Sequence, residues 1–198
     1  MRDQFNKMMG RTRYVVCRVF LHLAGSDVAP ILGVLNTTAR EAIADDGEDL
    51  HNLGEGLVEI SETLLRYDEA WLSAANEGEV FWDEGEAGDY VNELFSDSGE
   101  RYGADLGINA DDSGNEAFSI PVTRNVIVML TVAYEGEVPD LETDLSNIPA
   151  LKDALKALIN LHYKQKLRAI QVHFSPAQLG DELTNDQLLQ YYPELIPL

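Results

Sequence analysis

Four histidines, one cysteine and a dense run of carboxylates are the side chains in this sequence with chemistry to offer. His22, His51, His162 and His173 show no HxxxH or HExxH spacing, so a zinc site would have to gather its ligands from distant segments. The loop that starts at Asn109 sets Asp111, Ser113 and Gly114 where a calcium loop wants them. Ile120, however, stands where the bidentate glutamate belongs, and the loop from Asp83 fails in the same way. No GxxxxGK[ST] or GxGxxG follows a strand, no GxSxG elbow is present, and Cys17 lacks the local context that activates a thiol. Where acids are this dense, close Asp and Glu pairs are inevitable and do not mark a general acid and base. The expectation is therefore no catalytic residue, no cofactor and no metal. His22 and His173, each projecting from an expected strand, read as satisfied sheet-surface histidines.

The aromatic residues are more suggestive. Trp71, Phe81 and Trp82 flank an acidic turn, and with Tyr90 they form a candidate partner-binding anchor of the kind that dominates interfaces; the alternative is a lid over the core.

The elements that must position these residues follow from hydrophobic period. Val15, Cys17, Val19, Leu21 and Leu23 alternate with Val16, Arg18, Phe20 and His22, which predicts a strand ending near Ala24. Ser26 or Asp27 caps a helix that tolerates Pro30 in its first turn and runs to about Ala44. Leu50, Leu53, Leu57, Ile60 and Leu64 recur at steps of three and four, an amphipathic helix led in by acids from Asp45 to Asp49. A third helix is expected over Gly88 to Tyr102, and a flexible acidic loop over about 103–119. Thr123 to Tyr134 is almost wholly apolar or β-branched, so it predicts a strand covered on both faces and central in its sheet. Asn147 with Pro149 opens a helix with Ile148, Leu151, Leu155, Leu158 and Ile159 inside, Leu167 to Phe174 forms the next strand, and Thr184 with Gln187 is a capping box for a last helix. A strand, a helix and a strand in that order suit a parallel crossover. The fold class expected is α+β: a small mixed β-sheet of three to four strands with helices packed on it and a C-terminal β-α-β-α unit. A basic extension over 1–13 precedes a single domain over 14–198.

Charge narrows the function classes. The chain of 198 residues has a formal net charge of -21, and 23 of its 35 acids but only Arg66 and Arg101 among its bases lie between Glu41 and Glu116. That field repels phosphate backbones and anionic lipid, which argues against nucleic-acid binding and leaves either a solvated surface or a docking surface for a basic partner. The run from Tyr14 to Leu35 is interrupted by Arg18, His22 and Asp27 before it could span a membrane. A lone Cys17 forms no internal disulfide, so the expected location is cytoplasmic.

The strand over Val126 to Tyr134 with Glu135-Gly136, the helix after Asn147, the segment Ile170-Gln-Val-His-Phe-Ser-Pro176, and Gly180-Asp-Glu-Leu-Thr184 leading to Tyr192-Pro-Glu-Leu195 together resemble the family labelled domain of unknown function 1517. Leu64-Leu-Arg66 with Trp71 resembles its Leu-Leu-Arg-His-Pro-x-x-Trp segment, although Tyr67-Asp68 replaces the His-Pro. The resemblance covers about residues 14–198. It implies a protein of cyanobacteria or chloroplasts associated with photosynthesis, here a member without the Gly-rich hydrophobic region that usually anchors the domain, and alternatively thylakoid-associated through a partner. The motif residues Arg66, Trp71, Pro176, Gly180, Asp181, Thr184, Tyr192 and Pro193 suit loops, caps and a packed chain end, so fold maintenance is their expected role.

The expected function is a non-catalytic accessory or regulatory module that binds another protein, one with a basic patch or an extended tail, through the acidic middle or an open sheet edge. The alternatives are a hydrolase-like enzyme with a carboxylate-lined cleft and a self-associating structural subunit.

Overall fold

The computed structural model describes residues 6, 10–25, 28–44, 49–106, 125–177 and 183–198. Five strands, β1 (Tyr14–Leu23), β2 (Trp71–Phe81), β3 (Val126–Glu135), β4 (Leu167–Ser175) and β5 (Ile196–Pro197), form one sheet in the order β4-β3-β1-β2-β5. The helices are α1 (Val28–Ala44), α2 (Leu50–Arg66), α3 (Glu84–Leu106), α4 (Ile148–Tyr163) and α5 (Asn185–Tyr191). The α+β class stands as expected.

Period-two alternation in β1 divides the molecule into layers. Val15, Cys17, Val19, Leu21 and Leu23 pack with Val128, Leu130, Val132 and Tyr134 of β3 under α1, α2 and α4. The opposite side carries Val16 and Phe20, covered by Ala87, Val91 and Leu94 of α3 and by Leu188 of α5 with Tyr192. β1 and β3 are therefore buried on both faces, which is why their sequences are so apolar. His22 is buried too, and not on a sheet surface as expected.

Local chemistry sets the helix ends. Asp49 caps α2 through His51 N, Asn147 caps α4 through Ala150 N at 2.9 Å, and Thr184 with Gln187 makes the expected capping box of α5. The Asp83 carboxylate accepts from Glu86 N at 3.1 Å at the start of α3. There Glu84 and Glu86 lie at the positive end of the helix dipole. That helix continues to Leu106, so residues 103–106 belong to it and not to a loop; the rest of the expected loop, the Ser26 and Asp27 cap, and Asp45 to Glu48 of the acidic lead-in lie outside the described residues.

Two expectations need correction. Among the described residues the sheet has five strands and is antiparallel throughout, not mixed with three or four. No parallel crossover forms between β3 and β4, because the chain first recrosses the sheet's length before α4 begins. It leaves β3 at Glu135, passes Arg13, which grips Glu142 at 2.5 and 2.9 Å, and is clasped by the Asn76 amide at Thr143 O and Leu145 N, both 2.9 Å. The helix starts at the far end, where Lys152 pairs with Asp68, and returns the chain to the end it left, where Glu135 N meets Lys166 O at 3.0 Å. β4 must then run opposite to β3.

Candidate functional site

Burial of a charge is the first unusual feature of the α3 side of the sheet. The register places Glu77, Arg18, Thr131 and Gln171 in one cross-strand row. The Arg18 side chain is 2% exposed, and each of its nitrogens is used. Nε donates to Glu77 at 2.8 Å, Nη1 to Ser98 Oγ at 2.8 Å and Leu94 O at 3.1 Å, and Nη2 pairs with Glu77 and with Asp97 at 2.6 Å. Arg101 continues the network to Asp97 at 2.9 Å, Glu194 at 2.5 Å and Tyr191 O at 2.7 Å. Both guanidiniums lie over the Phe20 ring, at 4.7 and 5.4 Å, within cation–π range. Burial works against the Asp97 carboxylate, but the hydrogen bond and charge of Arg18, helped by Arg101, hold it below its ordinary range. With its donors spent on protein, this network fastens α3 and the C-terminal segment to the sheet.

A second polar cluster joins β1, β2 and the start of β3. His22 Nδ1 lies 3.0 Å from Ser73 Oγ, and Nε2 lies 3.0 Å from Asn125 Oδ1. Asn125 donates its amide to Leu183 O at 2.6 Å, so its oxygen accepts, Nε2 carries the proton, and Ser73 donates to Nδ1. Serine, histidine and asparagine are the residue types of a nucleophilic relay. All three are 8% exposed, and Leu183 closes over Asn125, so the arrangement reads as a buried tie. Burial pushes the His22 imidazole down, which keeps it neutral. Burial likewise pushes the Cys17 thiol up to about 12, so it is inert as a nucleophile.

The surface with room for a ligand is the β4 edge. No strand lies beyond β4 among the described residues. Ile170, Val172 and Phe174 face a cavity of about 100 Å³ closed by Leu35 and Ala39 of α1 and Leu57 of α2. Thr38, Ala42 and Leu53 line both this cavity and a neighbouring one of about 340 Å³, which is edged by Glu41, Glu55 and Glu59. Gly56 makes that architecture possible, since a Cβ there would collide with the Thr38 methyl group. On the opposite face of β4, Gln171 and His173 are half-buried, and the Phe95 ring lies 5.2 Å from His173 while remaining 51% exposed. Gln171 Oε1, His173 Nδ1 and Thr38 Oγ1 are buried without a hydrogen-bond partner among the described residues. The edge strand thus sits in a cleft, walled by α1 and α2 on one side and by α3 on the other.

The aromatic anchor read from sequence is divided. Trp71 opens β2 opposite Leu23, whereas Phe81 closes it opposite Tyr14, at the other end of the strand. Trp71 is buried in the main core. The Phe81 and Tyr90 rings meet at a tilt with centroids 5.4 Å apart, and the half-buried Trp82 lies in the turn before α3. These residues flank a strand and not an acidic turn. Among the family-motif positions, Arg66 and Pro193 are exposed, Pro176 is half-buried after a cis peptide bond, Thr184 caps α5, and Tyr192 is buried with Arg101 above its ring at 5.6 Å. Gly180 and Asp181 lie outside the described residues.

Sequence reasoning passed over Arg18 except as an interruption of an apolar run. Its signal was there: an arginine between Cys17 and Val19 in a strand buried on both faces must find carboxylates. Among the described residues, no three His, Cys, Asp or Glu side chains converge as a metal-binding set, and no helix is long and apolar enough to cross a membrane. A sequence profile of the family described as Protein of unknown function (DUF1517) matches residues 13–198. No curated protein and no solved structure matches the chain.

Proposed function

The chain belongs to the family Protein of unknown function (DUF1517), and we propose that it acts as an accessory module that binds another protein through the β4 edge and its flanking cleft. One observation carries this reading: an edge strand that no other strand pairs among the described residues, and whose apolar side opens into a ready-made cavity between α1 and α2. Exposed edges are normally blunted or covered, and a walled edge is a recognition surface. The other edge left unpaired among the described residues, the outer half of β2, is exposed and carries Glu77 and Glu79. Glu41, Glu55 and Glu59 edge the cavity that adjoins the one beside β4, and their charge favours a basic partner and speeds its approach. The family resemblance supports placing the partner in a photosynthetic cell.

Affinity capture from a photosynthetic lysate, comparing wild type with Ala42→Arg at low and physiological salt, tests the proposal. Ala42 is half-buried at the groove mouth, so arginine blocks it while preserving helix propensity. The expected outcome is a partner retained by wild type and lost with the variant. Identical captured sets from the two would contradict it.

A further inference from the structure

Resting on that protein-binding reading, we infer that the occupant of the cleft is an extended, basic segment of the partner that adds to β4 as a sixth strand, with apolar and polar side chains in alternation. The walls of the cleft select this shape. β4 offers nine residues, and its side chains alternate between two different environments. Ile170, Val172 and Phe174 face the apolar cavity, whereas Gln171 and His173 share the other face with Phe95. A strand laid against the edge has the same period of two, so one set of its side chains enters beneath α1 and the other meets α3. A helix in the groove would fill the apolar side alone and leave the edge backbone unpaired.

The polar face supplies a second constraint. Gln171 Oε1 and His173 Nδ1 are buried with no hydrogen-bond partner among the described residues, so serine, threonine or asparagine in the incoming strand satisfies them once the two side chains turn toward the edge. Burial and the nearby Arg18 charge keep the His173 ring neutral, which preserves its acceptor role. The charge requirement comes from the adjoining cavity between α1 and α2, which shares Thr38, Ala42 and Leu53 with the one beside β4. Glu41 and Glu59 have no cation partner among the described residues, and Glu55 has only the exposed His51, at 3.5 Å. Lysine or arginine beside the apolar positions complements all three.

A nine-residue peptide of alternating valine and threonine with two flanking lysines is the probe. It is measured by fluorescence anisotropy and by amide exchange of the full chain. Two N-methylated versions block alternate amides in opposite phases. Strand addition uses one edge of the peptide, so one version loses binding at least about tenfold and the other keeps it. Exchanging the lysines for glutamates weakens binding about tenfold, as does Glu55→Lys/Glu59→Lys in the protein. Equal binding by both methylated versions overturns the inference, as does self-association of the chain through β4 that the peptide fails to disrupt. The two levels of the argument separate cleanly. If no peptide binds while Ala42→Arg still loses a captured partner, strand addition falls and the protein-binding reading stands; if neither effect is seen, both fall.

Discussion

Removing the two carboxylates around Arg18 and removing Arg18 itself should have unequal costs, because the partners are unequally exposed. The Arg18 side chain is 2% exposed, against 42% for Glu77 and 41% for Asp97. In Glu77→Gln/Asp97→Asn the cation stays buried without an anion, and breaking a buried pair in this sense costs about 3–5 kcal/mol. In Arg18→Met the stem is replaced by a side chain of similar reach, and both carboxylates are free to turn into water. Ser98 still bonds Leu94 O at 2.8 Å, so no buried group there is stranded. The cost should be about 1–2 kcal/mol. The triple variant then recovers most of the loss of the double, a coupling that a thermodynamic cycle isolates. Urea unfolding followed by tryptophan fluorescence reads all three; each 1 kcal/mol corresponds to roughly 2–4 °C in Tm for a chain of this size. An Arg18→Met variant less stable than the double, or a triple variant no more stable than it, would refute the reasoning that burial of the guanidinium sets the cost.

Three further outcomes follow from the same geometry. A Cβ at Gly78 would sit 2.8 Å from Val16 O and 3.0 Å from Cys17 Cβ, where backbone cannot yield, so Gly78→Ala should lower stability by about 1–3 kcal/mol in urea denaturation, and a neutral result would contradict the tight β1–β2 approach. Cys17, with its thiol pushed up to about 12 by burial, should resist a disulfide reagent in the native protein and react only on unfolding; fast native labelling would show that the core opens there. His22 and His173 are both pushed down, chiefly by burial, so the unfolded chain binds protons first as pH falls through about 6.5. Stability present above that value is lost below it, and the urea midpoint should be lower at about pH 5.5 than at about pH 7.5, with a smaller difference in His22→Gln/His173→Gln.

Elements whose apolar residues keep a single period were legible in the sequence. β1, β3, α1, α2 and α4 fall within a few residues of their expected places, and the Thr184–Gln187 box was readable because capping is local chemistry. β2 was hidden: its outer half, Asn76 to Glu79, carries acids and a glycine on an exposed sheet edge, so no apolar alternation survives there. That omission also misjudged Trp71 and Phe81, which look adjacent to a turn but stand at opposite ends of one eleven-residue strand. The crossover failed for a different reason. Handedness rules assume that the helix leads straight back along the sheet, and the detour from Gly136 to Asn147 is fixed by long-range contacts of Arg13 and Asn76 that no window of sequence contains. The cleft was foreseeable only as a kind of surface. Which strand forms the edge depends on strand order, and the unpartnered Gln171 and His173 atoms depend on what α3 covers.

Residue-resolved amide hydrogen exchange along β4 tests the central claim most directly. Every second amide from Arg168 to Phe174 points away from β3 in an antiparallel pair and should exchange rapidly in the free protein, while the intervening amides, bonded to β3, stay protected. Adding the basic alternating peptide should slow the rapid set alone. Uniform protection of both sets before any peptide is added would mean that the edge is already covered, and would contradict the account.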